Sequence, residues 1–244
     1  MNKLIFKTLA VAALLVSAVS AAPIQVGTRL SLVIDVSGSV DTSEYNLQMD
    51  GYGSAFRNAA NQALIINGGG IAVNYVFFAS SATTASTWTL LSDVASINAY
   101  ATVLEGLARP FSSSTGIAGG LRSSIASFAD TTYIANRNVI DVSGDGEENV
   151  TTDAALRAQR DAAAGNGIVI NGVTIGGGAS LINFYTNNVI TPGGFVEFAN
   201  DFNDFEGAIN RKLFRELGGD IPEPSTYAMM ASGLLGLVYF RRKK

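Results

Sequence analysis

The segment Leu30-Ser31-Leu32-Val33-Ile34-Asp35-Val36-Ser37-Gly38-Ser39 opens as a run of β-favouring apolar residues and closes on an acid and two hydroxyls at every second position. An uninterrupted apolar run of this kind predicts a strand buried on both faces. Gly38, between the serines, allows a turn where a side chain would interfere. A buried strand ending in Asp35, Ser37 and Ser39 delivers hard oxygen donors to its carboxyl end, where ligands sit in open α/β sheets. Such donors suit Mg²⁺, Mn²⁺ or Ca²⁺ rather than zinc. The plainer alternative is a helix entry with Ser39 or Asp41 as N-cap.

Downstream, the chain alternates strand and helix. Tyr45, Met49, Tyr52 and Phe56 give one apolar face to a helix over 41–60. Asn67-Gly68-Gly69-Gly70 breaks it, and a second buried strand runs from Ile71 to Ala79. A shorter strand is expected at 86–91, then a helix over 93–108 that Arg109-Pro110 ends. The hydroxyl-rich loop Ser112-Ser113-Ser114-Thr115-Gly116 leads into a helix with Leu121, Ile125 and Phe128 on its core face. A third strand, 138–142, runs into Ser143-Gly144-Asp145-Gly146-Glu147-Glu148-Asn149, an acid set between glycines just past a buried strand. A helix over 152–164, a strand over 168–175, a helix over 181–190, an edge segment at 195–198 and a helix over 201–217 complete the pattern. Repeated strand–helix units imply right-handed crossovers and an α/β fold: a doubly wound, mostly parallel central sheet flanked by helices.

The two ends have a different character. Residues 1–21 carry Lys3 and Lys7, an apolar run from Leu9 to Val19, and Val19-Ser20-Ala21, the pattern of a secretory signal peptide cleaved after Ala21. The C-terminus reads Ile221-Pro222-Glu223-Pro224, an apolar run from Tyr227 to Phe240, and Arg241-Arg242-Lys243-Lys244. As a helix that run reaches only about 21 Å against a hydrocarbon core of about 30 Å, a short transmembrane segment suited to transient anchoring. Its basic end stays cytoplasmic. The expected organisation is therefore a signal peptide at 1–21, one α/β domain at 22–217, and a linker and tail at 218–244.

The chain of 244 residues has no Cys and no His. Disulfides, thiolate and imidazole metal ligands, and Ser-His-Asp or Cys-His catalysis are all excluded. Any metal must be held by oxygen. Segment 22–222 keeps ten of the 16 basic residues and 19 of the 20 acids, a net charge of −9. An acidic domain without a basic stripe argues against nucleic acid as a partner.

The tail, 222–244, resembles the PEP-CTERM sorting signal of Gram-negative bacteria in all three parts: Pro-Glu-Pro, a hydrophobic helix and a terminal basic cluster. The resemblance implies export, passing contact with the inner membrane, removal of the tail by an exosortase-type protease, and delivery to the cell surface or extracellular matrix. Over about 28–217 the chain resembles the von Willebrand factor A domain, and within it an uncharacterised exported bacterial branch known as DUF1194. Asp35-Val36-Ser37-Gly38-Ser39, Thr115 and Asp145-Gly146 stand where that domain carries its metal-ion-dependent adhesion site (MIDAS). Ser143-Gly144 replaces the Thr usual before the Asp-Gly, and Asp141 is a rival acid within the strand. The resemblance implies that Ser37, Ser39 and Thr115 bind the cation directly while Asp35 and Asp145 hold its waters. It also implies a surface-directed adhesion module that docks an acidic protein or polysaccharide through Mg²⁺, Mn²⁺ or Ca²⁺, with no catalytic residue. The alternatives are a Mg²⁺-dependent phosphoester hydrolase, whose acid and base would come from Asp35, Glu147 or Glu148, and a structural matrix protein with a silent site.

Overall fold

Strand β1 (Ile24–Asp35) is the centre of a six-stranded sheet in the computed structural model, which describes residues 22–219. The expected signal peptide, the tail and its apolar run lie outside those residues. Within them no helix is long and apolar enough to cross a membrane.

After β1 come α1 (Thr42–Arg57), α2 (Ala59–Asn67), β2 (Ile71–Phe78), β3 (Thr89–Leu91) and α3 (Val94–Glu105). The second half holds α4 (Ile117–Ser127), β4 (Tyr133–Gly144), α5 (Asp153–Gly165), β5 (Ile168–Ile175), α6 (Gly178–Asn188), β6 (Val196–Ala199) and α7 (Phe205–Glu216). The sheet order is β3-β2-β1-β4-β5-β6, parallel except for β3. The chain winds outward from β1 through β2 to β3, then returns to β4 on the other side and winds outward again. The direction of winding therefore reverses between β1 and β4, and the crevice beyond their carboxyl ends is where a doubly wound sheet takes its ligand.

One sheet face packs Leu30, Leu32 and Ile34 against α1, α2, α3 and α7; the other packs Val33, Ile140 and Val142 against α4, α5 and α6. Both faces of β1 are therefore covered, as its apolar run requires. Helix α4 lies close on the sheet: a Cβ on Gly120 would meet Val33 Cγ1 at 2.8 Å and Phe78 Cβ at 3.0 Å. That close approach carries the loop before α4 to the end of β1.

The expected helix over 41–60 is two helices. Asn58, at φ −60° and ψ 127°, ends α1, and its side chain accepts from the amides of Ala60 and Asn61 to start α2. Helix α3 stops at Glu105 rather than 108, with Gly106 at its C-cap, so Arg109 belongs to the following loop. Helix α7 starts at Phe205 rather than 201, because Asp201 Oδ1 accepts from Asn203 and Asp204 in a turn.

Candidate functional site

Asp35 ends β1 with no exposed surface. Its Oδ1 accepts from the Ser37 amide at 2.7 Å, which tightens the turn after the strand. Its Oδ2 is buried without a hydrogen-bond partner. Helix α1 is capped by Asp41, in a reciprocal capping box with Glu44, so Ser39 has no capping role. Ser39 Oγ instead donates to Asp145 Oδ1 at 2.6 Å, and Ser37 Oγ lies 3.2 Å from Ser39 Oγ. A chain of hydrogen-bonding groups thus links the ends of β1 and β4 across the winding reversal.

Gly144 makes that approach possible. A Cβ there would stand 2.8 Å from Asp35 Oδ2 and 2.6 Å from the Tyr185 hydroxyl, itself buried without a partner. The departure at Ser143-Gly144 thus has a steric reason. Thr115 is 5% exposed, and its backbone is paired in both directions with Asn149 of the loop after β4. Its Oγ1 lies 3.3 Å from where a Cβ on Gly146 would sit. Of the serines before it, Ser112 Oγ accepts from Arg109 and Ser113 Oγ bonds Ser80. The structure thus brings Asp35, Ser37, Ser39 and Asp145 into one bonded cluster and sets Thr115 against the Asp145-Gly146 turn.

Burial pushes the Asp35 carboxyl up to about 7, against the Ser37 hydrogen bonds, and the Asp145 charge adds to the rise. Burial also raises the Asp145 carboxyl, while the Ser39 bond opposes it. Among the described residues no three His, Cys, Asp or Glu side chains gather as a metal site, so a cation here would have to be held in part by the hydroxyls. Two carboxylates, three hydroxyls and an unpartnered buried Asp35 oxygen fit a hard divalent cation with its waters.

The raised Asp35 pKa has a definite sign. An acid whose folded pKa lies above its unfolded value lowers stability as pH rises from the unfolded value, here 3.8, to the folded one, about 7. Metal-free protein is expected to lose up to about 4 kcal/mol across that window through this group. Asp35→Asn should flatten the fall in denaturant midpoint between pH 5 and pH 8 measured in EDTA. An unchanged slope would show that Asp35 does not carry it.

Asp141, the rival acid, is engaged elsewhere. It lies opposite Leu32 on the α1/α7 face, 2.7 Å from Lys212 Nζ. Lys212 also meets Glu216 at 2.6 Å, and all three side chains are fully buried. Tyr52 bonds Ser143, Ser143 donates to Gln48, and Gln48 Nε2 donates to Asp35 O at 3.0 Å, so this cluster reaches the back of the site. Sequence reasoning missed it. Its signal was an acid inside an apolar strand and a lysine beside the apolar face of the last helix. Glu148 caps α4: its carboxylate accepts from Ala118 at 2.8 Å and from Val150 and Thr151 at 3.0 Å each. Glu147 is exposed.

Similar solved structures establish the fold. Proximal thread matrix protein 1 from the mussel byssus has a TM-score of 0.58 at 16% identity, covering 81% of this chain and 48% of its own. A von Willebrand factor type A protein from Catenulispora acidiphila has 0.57 at 17%, covering 80% and 44%. The pilus adhesin SpaC from Lactobacillus rhamnosus GG has 0.60 at 15%, covering 81% and 31%. The chain spans less than half the length of each of these proteins. A further structure of the mussel protein is described as having a zinc-occupied MIDAS motif, so the preference against zinc does not hold in that protein. No curated protein matches the chain. Residues 220–243 match the PEP-CTERM protein-sorting motif, which marks export and membrane-associated sorting to the surface in Gram-negative bacteria. Residues 25–221 match the model described as protein of unknown function (DUF1194), and the chain, with its von Willebrand factor A fold, belongs to that family.

Proposed function

We propose that the protein is an exported, surface-directed binding module that docks an acidic group of a protein or polysaccharide through a divalent cation. Asp35, Ser37, Ser39, Thr115 and Asp145 would hold the cation, with Mg²⁺, Mn²⁺ or Ca²⁺ favoured by the donor set. The observation that carries this reading is the Ser37–Ser39–Asp145 chain across the β1/β4 crevice, beside the unpartnered Asp35 oxygen. When bound, the cation supplies an electrophilic position for a partner carboxylate. The chain's own residues orient the hydroxyls and keep the Asp35 oxygen away from bulk water. The sorting signal and the pilus adhesin among the similar structures support a surface role. Hydrolysis has less support, because Glu148 is tied to three backbone amides and Glu147 points to solvent.

The domain is acidic, so a carboxylate partner is repelled unless the cation is present. Protein released from the producing cells is expected to attach to their surface with Mg²⁺, to detach in EDTA, and to have lost Arg241–Lys244 by intact mass. EDTA-resistant attachment would contradict the docking mode, and a mass that retains those residues would contradict exosortase-type removal of the tail.

A further inference from the structure

We infer that Arg109 is the positioning residue of this site, one guanidinium that fixes the β1–α1 loop against the hydroxyl-rich loop before α4. The inference rests on the cation-docking reading but is carried by a separate set of contacts. Arg109 Nη2 donates to Val36 O at 2.8 Å, to Ser37 O at 2.5 Å and to Ser112 Oγ at 3.1 Å, and Nε reaches Val36 O at 3.3 Å. The two carbonyls bracket residue 37, so holding both sets the peptide planes on either side of Ser37 and with them the direction of its Cα–Cβ bond. The Ser112 contact ties the same guanidinium to the loop that carries Thr115. The Gly38 amide adds a backbone bond to Ser113 O at 2.6 Å.

Arg109 is in none of the six ion pairs of the described residues. Its donors go instead to neutral oxygens of the loops that present the hydroxyls. Nε and Nη2 share Val36 O while Nη2 reaches on to Ser37 O and Ser112 Oγ, a side-on contact of the planar guanidinium that an ammonium on a flexible stem does not hold in one orientation. Helix α3 ends at Glu105, so residue 109 lies on irregular backbone whose side chain can lie across both loops.

The test compares the exported protein with Arg109→Lys and Arg109→Met, reading Mg²⁺ and Mn²⁺ affinity by calorimetry and amide exchange at Val36–Ser39 in EDTA. Outer partners of metal ligands typically account for about 10–100-fold in affinity. Both variants are expected to bind the cation weaker by that order and to exchange the Gly38 amide faster, with the core strands still protected. Lysine should not rescue, which separates a forked brace from a simple charge. Parental affinity and exchange in either variant would overturn the inference and leave the docking reading standing. A parent that binds no cation sinks the docking reading, while the exchange data still decide whether Arg109 holds the loops. If the Arg109 variants do not fold, Ser112→Ala loosens the same brace from its far end, and unchanged Gly38 exchange there would overturn the inference.

Discussion

Asp145→Ala is expected to abolish cation binding and to leave the fold intact. Asp145 lies just past β4, on the turn rather than in the core, and its one side-chain bond is to Ser39. Removing it opens no apolar cavity. It also relieves a partly buried carboxyl whose pKa burial has raised, so metal-free stability should change by no more than about 0.5 kcal/mol, as at ordinary surface sites. Without this carboxylate the bonded chain across the crevice is broken, and one of the two carboxylates proposed to face a cation is lost. Ser37→Ala combined with Ser39→Ala should have the same effect by removing two hydroxyl donors. Calorimetry and thermal melts in EDTA read both consequences. Binding retained by Asp145→Ala would place the cation elsewhere.

Lys212→Met should be the most destabilising single substitution. It leaves Asp141 and Glu216 buried together without the cation that both contact. Burial already pushes the Glu216 carboxyl up to about 8; Lys212 opposes that rise and Asp141 adds to it. Breaking a buried ion cluster by removing one partner typically costs about 3–5 kcal/mol. For a domain of this size that corresponds to a Tm lower by roughly 6–20 °C. Neutralising all three together, as Lys212→Met with Asp141→Asn and Glu216→Gln, should recover most of the loss, because no uncompensated charge remains. A Lys212→Met protein that melts with the parent would show that the cluster is not held as charged groups.

The apolar runs of β1, β2, β4 and β5 are visible in the sequence because strands covered on both faces admit little else, and their alternation with helices yields the doubly wound sheet. The loop donors are visible because Asp35, Ser37, Ser39 and Asp145 each sit just past such a run. The alternative assignments could not be separated in one dimension. Whether Ser39 or Asp41 caps α1 depends on a reciprocal bond to Glu44, and whether Asp141 faces the site depends on the partner it meets on α7. Arg109 reaches Ser37 across 72 positions of chain, Lys212 reaches Asp141 across 71 and Glu216 reaches Asn171 across 45, so their roles follow from packing rather than local pattern. The break at Asn58 was also hidden, because one Asn both ends a helix and starts the next.

The most direct test of the central claim is a calorimetric titration of metal-stripped exported protein with Mg²⁺, repeated with Mn²⁺, Ca²⁺ and Zn²⁺. Binding at a single site is expected, with a Tm that rises with cation concentration and stabilisation of about 2.7 kcal/mol at a hundredfold excess over Kd. No heat and no change in Tm at millimolar concentrations of all four cations would contradict the assignment of Asp35, Ser37, Ser39, Thr115 and Asp145 as a cation site.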